Sequence, residues 1–470
     1  MKFVDRSQMP AIFLTISLFV AFMSIQVGLA DRLYGFQPYV QQFFADYGEP
    51  DELFTQRVEI YSGDFVVSNT SLLRTTSYVV SEGGTLDSSL LFLFGGIFLR
   101  ALYALLVMMI MIAMEHKVQY ALVLGLVIFT SPFFVFGSTP LVPANVAILF
   151  FLLMIWGFEK YKRTGRIVFM LVVILSMLGN ILYDPTSVVI NAIIVLSYGL
   201  VFLFNEDPRK IEVTFTSTLI ALILLLPIFA TLLNIVSTSL GTFGDNSIWA
   251  QYIGADLQPT VNTFFEIVGY PVMIFSVLGV VAVVRWQWRR YLHLLVMLAC
   301  VLLLMLNITP RLTINPARMQ AYLYFVLILI SGVYISLLFT RTSRLVRMML
   351  IAVFVSYGIA VMLTTPPFER LTDDELALAT TINQLLQDNP NDIVYVETEA
   401  MALAVLIDHP AQLCAYWEPV FQFYVPPESG DVPDCTIAEY RLAETGRTLS
   451  DYRIVTQTDT VSIYQRIVDA

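Results

Sequence analysis

Arg311 directly follows Pro310, and Arg318 comes two residues after Pro316, where a late apolar stretch of the chain begins. A guanidinium there suits a phosphate or pyrophosphate, because its fork can bind two oxygens at once. Snorkelling to lipid headgroups, or pairing with a loop carboxylate, is the plainer role. A second set of candidates is acidic. Asp31 follows the first apolar stretch in Asp31-Arg32-Leu33-Tyr34, and Asp64 lies in Tyr61-Ser62-Gly63-Asp64. A carboxylate near a membrane surface can act as general base for an acceptor hydroxyl or hold a metal; the plainer role is a solvated acid. Arg100 falls inside an apolar run, where a charge is costly and pairs with something or lines a cavity; a structural ion pair is the favoured reading. Asp184-Pro185-Thr186 makes a tight turn between two apolar runs, and its residue types are ordinary turn formers. No CxxC and no His/Cys metal-ligand spacing occurs, so neither a metal nor a cofactor is expected.

The elements that must position these residues are membrane helices. Of 470 residues 57% are hydrophobic and 13% charged, against roughly 25% charged in a soluble domain. About 11 apolar stretches have the ~20-residue length that spans a bilayer core. They read 10–29, 89–113, 119–137, 142–157, 167–183, 187–204, 214–237, 270–284, 292–307, 320–339 and 348–364. Alternating sides along them puts 15 of the 26 Lys and Arg on one side, including every lysine, with only 6 of the 37 acids. Basic loops stay cytoplasmic during insertion. The N-terminus is therefore expected inside and the acidic tail outside, in a multi-pass protein of the cell membrane. The net charge of -11 is concentrated outside, which argues against nucleic acid as a partner. The first stretch could be read as a signal peptide. Its length, and Asp31-Arg32 after it without a small-residue cleavage site, favour a retained span.

Three outer segments are long enough to build something: 30–88, 238–269 and 308–319. Within the first, Tyr39-Val40-Gln41-Gln42-Phe43-Phe44 has the spacing of a short helix lying on the membrane. The tail from Pro366 differs in composition. Thr372-Asp373-Asp374-Glu375 has a capping-box pattern that predicts a helix ending at Asn389-Pro390. Strands are predicted at Ile393–Val396, Tyr452–Val455 and Val461–Tyr464, with a second helix at Met401–Ile407. The expected architecture is an α-helical polytopic membrane protein, N-in and C-out. Its transmembrane domain covers 1–364 with an outer loop at 30–88, and a small extracytoplasmic α/β domain covers 365–470. Cys414 and Cys435 both lie in that tail, where a disulfide could persist; spacing alone leaves the bridge open.

Several short motifs, in order, resemble the C-type (GT-C) membrane glycosyltransferases. They are Gly84-Thr85-Leu86-Asp87 before the second span, Ser131-Pro132-Phe133-Phe134, Pro140-Leu141-Val142-Pro143-Ala144-Asn145, Tyr183-Asp184-Pro185-Thr186-Ser187, Pro316-Ala317-Arg318 and the tail. The resemblance implies sugar transfer from a polyprenyl-phosphate donor at the outer leaflet, with membrane lipids as the other partners and an aspartate of the first outer loop as base. Gly35-Phe36-Gln37-Pro38-Tyr39 looks like the segment where relatives carry that acid, yet position 37 is glutamine, and a neutral amide cannot accept the proton. Asp31 or Asp64 then does the work, with Asp31 better placed, or the chain is a non-catalytic member that binds lipid or a partner protein. The histidine that relatives carry near 184 is also missing. A secondary transporter fits less well, because no internal repeat and no paired broken spans are visible.

Overall fold

The computed structural model describes residues 49–52, 55–60, 63–68, 88–115, 124–125, 128, 131, 143–184, 187–228, 268–305, 316–364, 373–396, 412–414, 438–446, 449, 451–458 and 461–467. The stretch 10–29, the helix expected at 39–44, the segment 238–269 and the helix expected at 401–407 lie outside them, as do Asp31, Gln37 and Arg311. The chain divides into two compact units. One comprises Met1–Asp31, Gly96–Thr139 and Pro143–Pro366; the other comprises Arg32–Gly95, Pro140–Val142 and Pro367–Ala470.

The first unit is helical. Its described helices are α1 (Ser88–Glu115), α2 (Pro143–Thr164), α3 (Val168–Tyr183), α4 (Val188–Phe204), α5 (Pro208–Leu225), α6 (Tyr270–Ala282), α7 (Trp288–Met305), α8 (Pro316–Arg341) and α9 (Arg344–Thr364). Segments Phe94–Met114, Tyr270–Leu304 and Met319–Arg341 are long and apolar enough to cross a membrane, and α3 and α4 are shorter apolar helices. Their outward faces are apolar too, with Leu171, Leu175, Leu196, Leu203, Phe215 and Ile223 exposed. A soluble monomer does not leave so much apolar surface bare; a helix in lipid does, since its backbone satisfies itself.

Local chemistry sets the connections. The α2–α3 hairpin turns at Gly165, whose φ of 63° lies in the left-handed region that glycine enters without a Cβ penalty. Its N–H donates to the Tyr161 carbonyl at 2.8 Å and closes α2. Asp207 caps α5 by accepting from the Lys210 N–H, with Pro208 in the first turn. The hydrogen bond from the Lys210 side chain also holds the Asp207 carboxyl below its usual range. The basic segment 285–290, between the stretches read at 270–284 and 292–307, is helical. A π turn, Val283–Gln287, joins α6 to α7, and Tyr291 leaves helical geometry at φ -117°, ψ 21°. A π turn satisfies the backbone without opening a loop, and kinks gather at such turns.

Close approach fixes α6 on α8. A Cβ at Gly279 would sit 2.5 Å from the Ile330 carbonyl oxygen, and Ser331 donates to the Val272 carbonyl at 3.1 Å. The backbones meet there because no side chain intervenes.

The second unit holds two sheets. Strands β1 (Glu49–Glu52), β2 (Thr55–Ile60) and β3 (Gly63–Ser68) form an antiparallel meander. In the tail, helix α10 (Asp373–Asp388) precedes β4 (Val394–Val396), β5 (Leu413–Cys414), β6 (Tyr440–Glu444), β7 (Tyr452–Gln457) and β8 (Val461–Arg466). Their order is β5-β4-β6-β8-β7, with β4 parallel to β5 and β6 and the other pairs antiparallel. Leu378, Ile382 and Leu386 of α10 are buried, as are Val394, Leu442 and Ile463 of the sheet. The Gln412 amide donates to the Leu386, Asn389 and Asp392 carbonyls at 3.3, 3.0 and 3.0 Å, meeting acceptors that a helix end leaves open.

Candidate functional site

A polar cluster lies inside the helical unit, built from the middle of α1 and the first halves of α2 and α8. Arg100 and Tyr103 are three residues apart on α1, hence on one face, and both are buried. The Tyr103 hydroxyl donates to the Asn145 carbonyl in the first turn of α2. Its ring meets Phe325 of α8 edge-on at 5.2 Å, and Phe151 of α2 meets Tyr322 of α8 at 5.1 Å. Arg100 and Tyr322 are the electrostatic neighbours of the Tyr103 hydroxyl. Tyr324, also buried, stands beside Ser131. Ser131 in turn donates to the Val268 carbonyl at 2.8 Å, just ahead of α6. Arg100, Tyr103 and Tyr322 thus stand together in an apolar bundle, while Tyr324 and Ser131 form a separate pair on another side of α8. The Arg100 guanidinium is the one full charge among them, and charge-assisted hydrogen bonds strengthen where water is scarce.

The expected site residues distribute as follows. Arg100 belongs to this cluster. Arg318 lies in the first turn of α8, which starts at Pro316. Asp184 ends α3 and is buried in its turn; its N–H donates to the Asn180 carbonyl, and its carbonyl accepts from the Ser187 N–H, both at 2.9 Å. Close by, Asn180 donates to Asn191 across the α3–α4 pair at 2.7 Å. These bonds give the Asp184 turn a structural role. Asp64 lies in β3, in register with Glu59 of β2, within the other unit. Asp31, Gln37 and Arg311 are outside the described residues. Among the described residues no group of three or more His, Cys, Asp or Glu could hold a metal.

Sequence reasoning passed over Tyr103, Tyr322 and Tyr324, and quoted Asn145 only within the motif Pro140–Asn145. The one local signal was the Arg100/Tyr103 spacing. It also passed over a second buried cluster. Glu159 near the end of α2 takes Lys162 at 2.5 Å and the Tyr198 hydroxyl of α4 at 3.0 Å, both on Oε1. His293 Nε2 of α7 lies 3.1 Å from the same oxygen, off the line of a hydrogen bond. The Tyr198 ring is stacked between Phe158 and His293, with centroids at 4.6 and 4.7 Å. Three helices distant in sequence are pinned by one carboxylate.

No protein-family model matches the sequence, and no curated protein matches it. Solved structures do. ArnT from Cupriavidus metallidurans, bound to undecaprenyl phosphate, aligns over 97% of this chain and 98% of its own, with TM-score 0.60 and 12% identity. The oligosaccharyltransferase AglB from Archaeoglobus fulgidus, in complex with an inhibitory peptide and a dolichol-phosphate, aligns over 92% of this chain and 69% of its own, with TM-score 0.58 and 11% identity. A second AglB structure, tethered to an acceptor peptide, covers the same shares at TM-score 0.54 and 10% identity. The chain therefore has the fold of the GT-C membrane glycosyltransferases. At this level of identity the likeness establishes fold, and activity is a separate question.

Proposed function

We propose that the protein is a membrane glycosyltransferase that draws its sugar from a polyprenyl-phosphate donor at the outer leaflet. The observation that carries this reading is the end-to-end likeness to ArnT bound to undecaprenyl phosphate. The buried Arg100–tyrosine cluster supports it from the chain's own side. In this reading about 11 helices span the membrane, the N-terminus is inside, and residues 365–470 form an extracytoplasmic α/β domain. The mixed five-stranded sheet with α10 supports that last assignment. A carboxylate, Asp31 before Asp64, takes the proton of the acceptor hydroxyl. The hydroxyl oxygen attacks the anomeric carbon, and the lipid phosphate leaves with the bonding pair. Arg311 and Arg318 meet the charge on the leaving phosphate.

Incubation of the purified protein with polyprenyl-phosphate sugars, followed by release of free polyprenyl phosphate, tests the reading directly. Transfer or hydrolysis supports it; inertness towards every donor removes it. The second reading, a non-catalytic subunit of the same architecture, is favoured by Gln37 standing where the resemblance expects an acid.

Two further outcomes are expected. A cysteine placed at Ser429 should react with an impermeant thiol reagent in intact cells, and one at Thr164 should not; the reverse pattern inverts the orientation. Arg318→Ala should weaken polyprenyl-phosphate binding by about 1–3 kcal/mol, the range for losing a hydrogen bond to a charged group. Equal affinity by titration calorimetry would make Arg318 structural.

A further inference from the structure

At the end of the helical unit where α8 finishes, three elements converge. α6 packs on α8 through Gly279, and Phe275 reaches Tyr334 of α8 at 5.9 Å and Phe354 of α9 at 5.3 Å. The π turn after α6 carries Arg285 and Trp286, both exposed. The Arg341 guanidinium, at the last residue of α8, lies over the Trp286 ring at 5.2 Å from its centroid. Arg344 opens α9 three residues later and is also exposed. Among the described residues, Arg285, Arg341 and Arg344 take part in no ion pair. Thr342 Oγ1 and Arg347 Nε, both closed off from solvent, make no hydrogen bond among the described residues.

The surface beside this cationic corner is apolar and bare. Val281, Val284, Leu345, Met348 and Met349 are each more than half exposed. The two halves define a ligand of two halves. Guanidiniums take phosphate oxygens, an indole sits at headgroup depth, and the apolar strip takes hydrocarbon. Stacking on Trp286 orients the Arg341 fork without consuming its N–H donors.

We propose that Arg285, Trp286, Arg341 and Arg344 form a headgroup site for an anionic phospholipid of the leaflet at which α8 ends. The proposal does not depend on sugar transfer, so the two can fail separately. The full-length protein, purified in mild detergent with phosphatidylcholine, is titrated with phosphatidylglycerol, and retained lipid is counted by native mass spectrometry. Wild type should retain phosphatidylglycerol in preference to phosphatidylcholine. The double variant Arg341→Gln/Arg344→Gln should lose about tenfold in retention, the scale of one or two charge-assisted hydrogen bonds. Trp286→Leu should lower retention with the charge unchanged. Arg166→Gln/Arg209→Gln removes the same charge from exposed positions on other connections and should leave retention as in wild type. Free glycerol phosphate should not compete. Equal losses in the two double variants would reduce the site to general charge attraction and overturn it. So would equal retention of the two lipids by wild type, unchanged retention in Arg341→Gln/Arg344→Gln, or competition by glycerol phosphate.

Discussion

Asp31→Asn is expected to lower sugar transfer by about a hundredfold or more, the scale of losing a general base. The substitution keeps the shape and removes the basicity, so binding of the lipid donor should stay close to wild type. A fall in donor affinity that matches the fall in rate would assign Asp31 to binding rather than to proton transfer. Gln37→Asp is the informative companion. If it raises activity, the native chain is an enzyme running on a substitute base; if it creates activity where wild type has none, the non-catalytic reading holds for the natural sequence. Should Asp31→Asn and Asp64→Asn both transfer sugar at the wild-type rate, the base lies elsewhere. These are steady-state measurements on one donor, and the ratio of rate to affinity separates the outcomes.

Glu159→Ala is expected to destabilise the helical unit by about 3 kcal/mol, at the low end for breaking a buried pair. Lys162 and the Tyr198 hydroxyl lose their common acceptor and His293 loses the carboxylate beside it, and both Tyr198 and His293 are fully buried. Lys162 is about one-fifth exposed and can turn towards water, which keeps the cost from rising further. Glu159→Gln retains an oxygen for Tyr198 and should fall between the two. His293→Phe retains the stack on Tyr198 and should cost less than Glu159→Ala. The readout is the thermal unfolding midpoint in detergent. If Glu159→Ala melts with wild type, the carboxylate does not hold α2, α4 and α7 together.

Most helices of the first unit were legible because a span needs little more than an apolar run with charged ends. The run read at 89–113 appears as Ser88–Glu115, and those at 167–183 and 187–204 appear as Val168–Tyr183 and Val188–Phe204. In the tail, strands stand where Tyr452–Val455 and Val461–Tyr464 were read. The β1–β3 meander was not foreseen, because the alternation in Arg57-Val58-Glu59-Ile60 is too brief to separate from a loop. The polar clusters were invisible for a different reason. Glu159 and His293 are 134 positions apart, and Tyr103 and Phe325 meet across most of the unit. Periodicity reports which face of a helix is buried; it carries no information on which distant helix will cover that face.

The π turn between α6 and α7 acts as a phase shifter. Buried residues recur at Val272, Ser276, Gly279 and Val283, then at Leu294, Met297 and Val301, a series that stays in step with 3.6 residues per turn throughout. A straight α-helix would aim that whole series at a single neighbour. The wider turn at Val283–Gln287 takes up about one extra residue, and one residue of an α-helix is about 100° of rotation. Gly279 looks onto Ile330 of α8, while beyond the π turn and the kink at Tyr291, His293, next to Leu294 of the series, meets Tyr198 of α4. Removing a single residue from 283–287 would rotate Tyr291 and everything beyond it by about 100° relative to α6, turning His293 away from Tyr198.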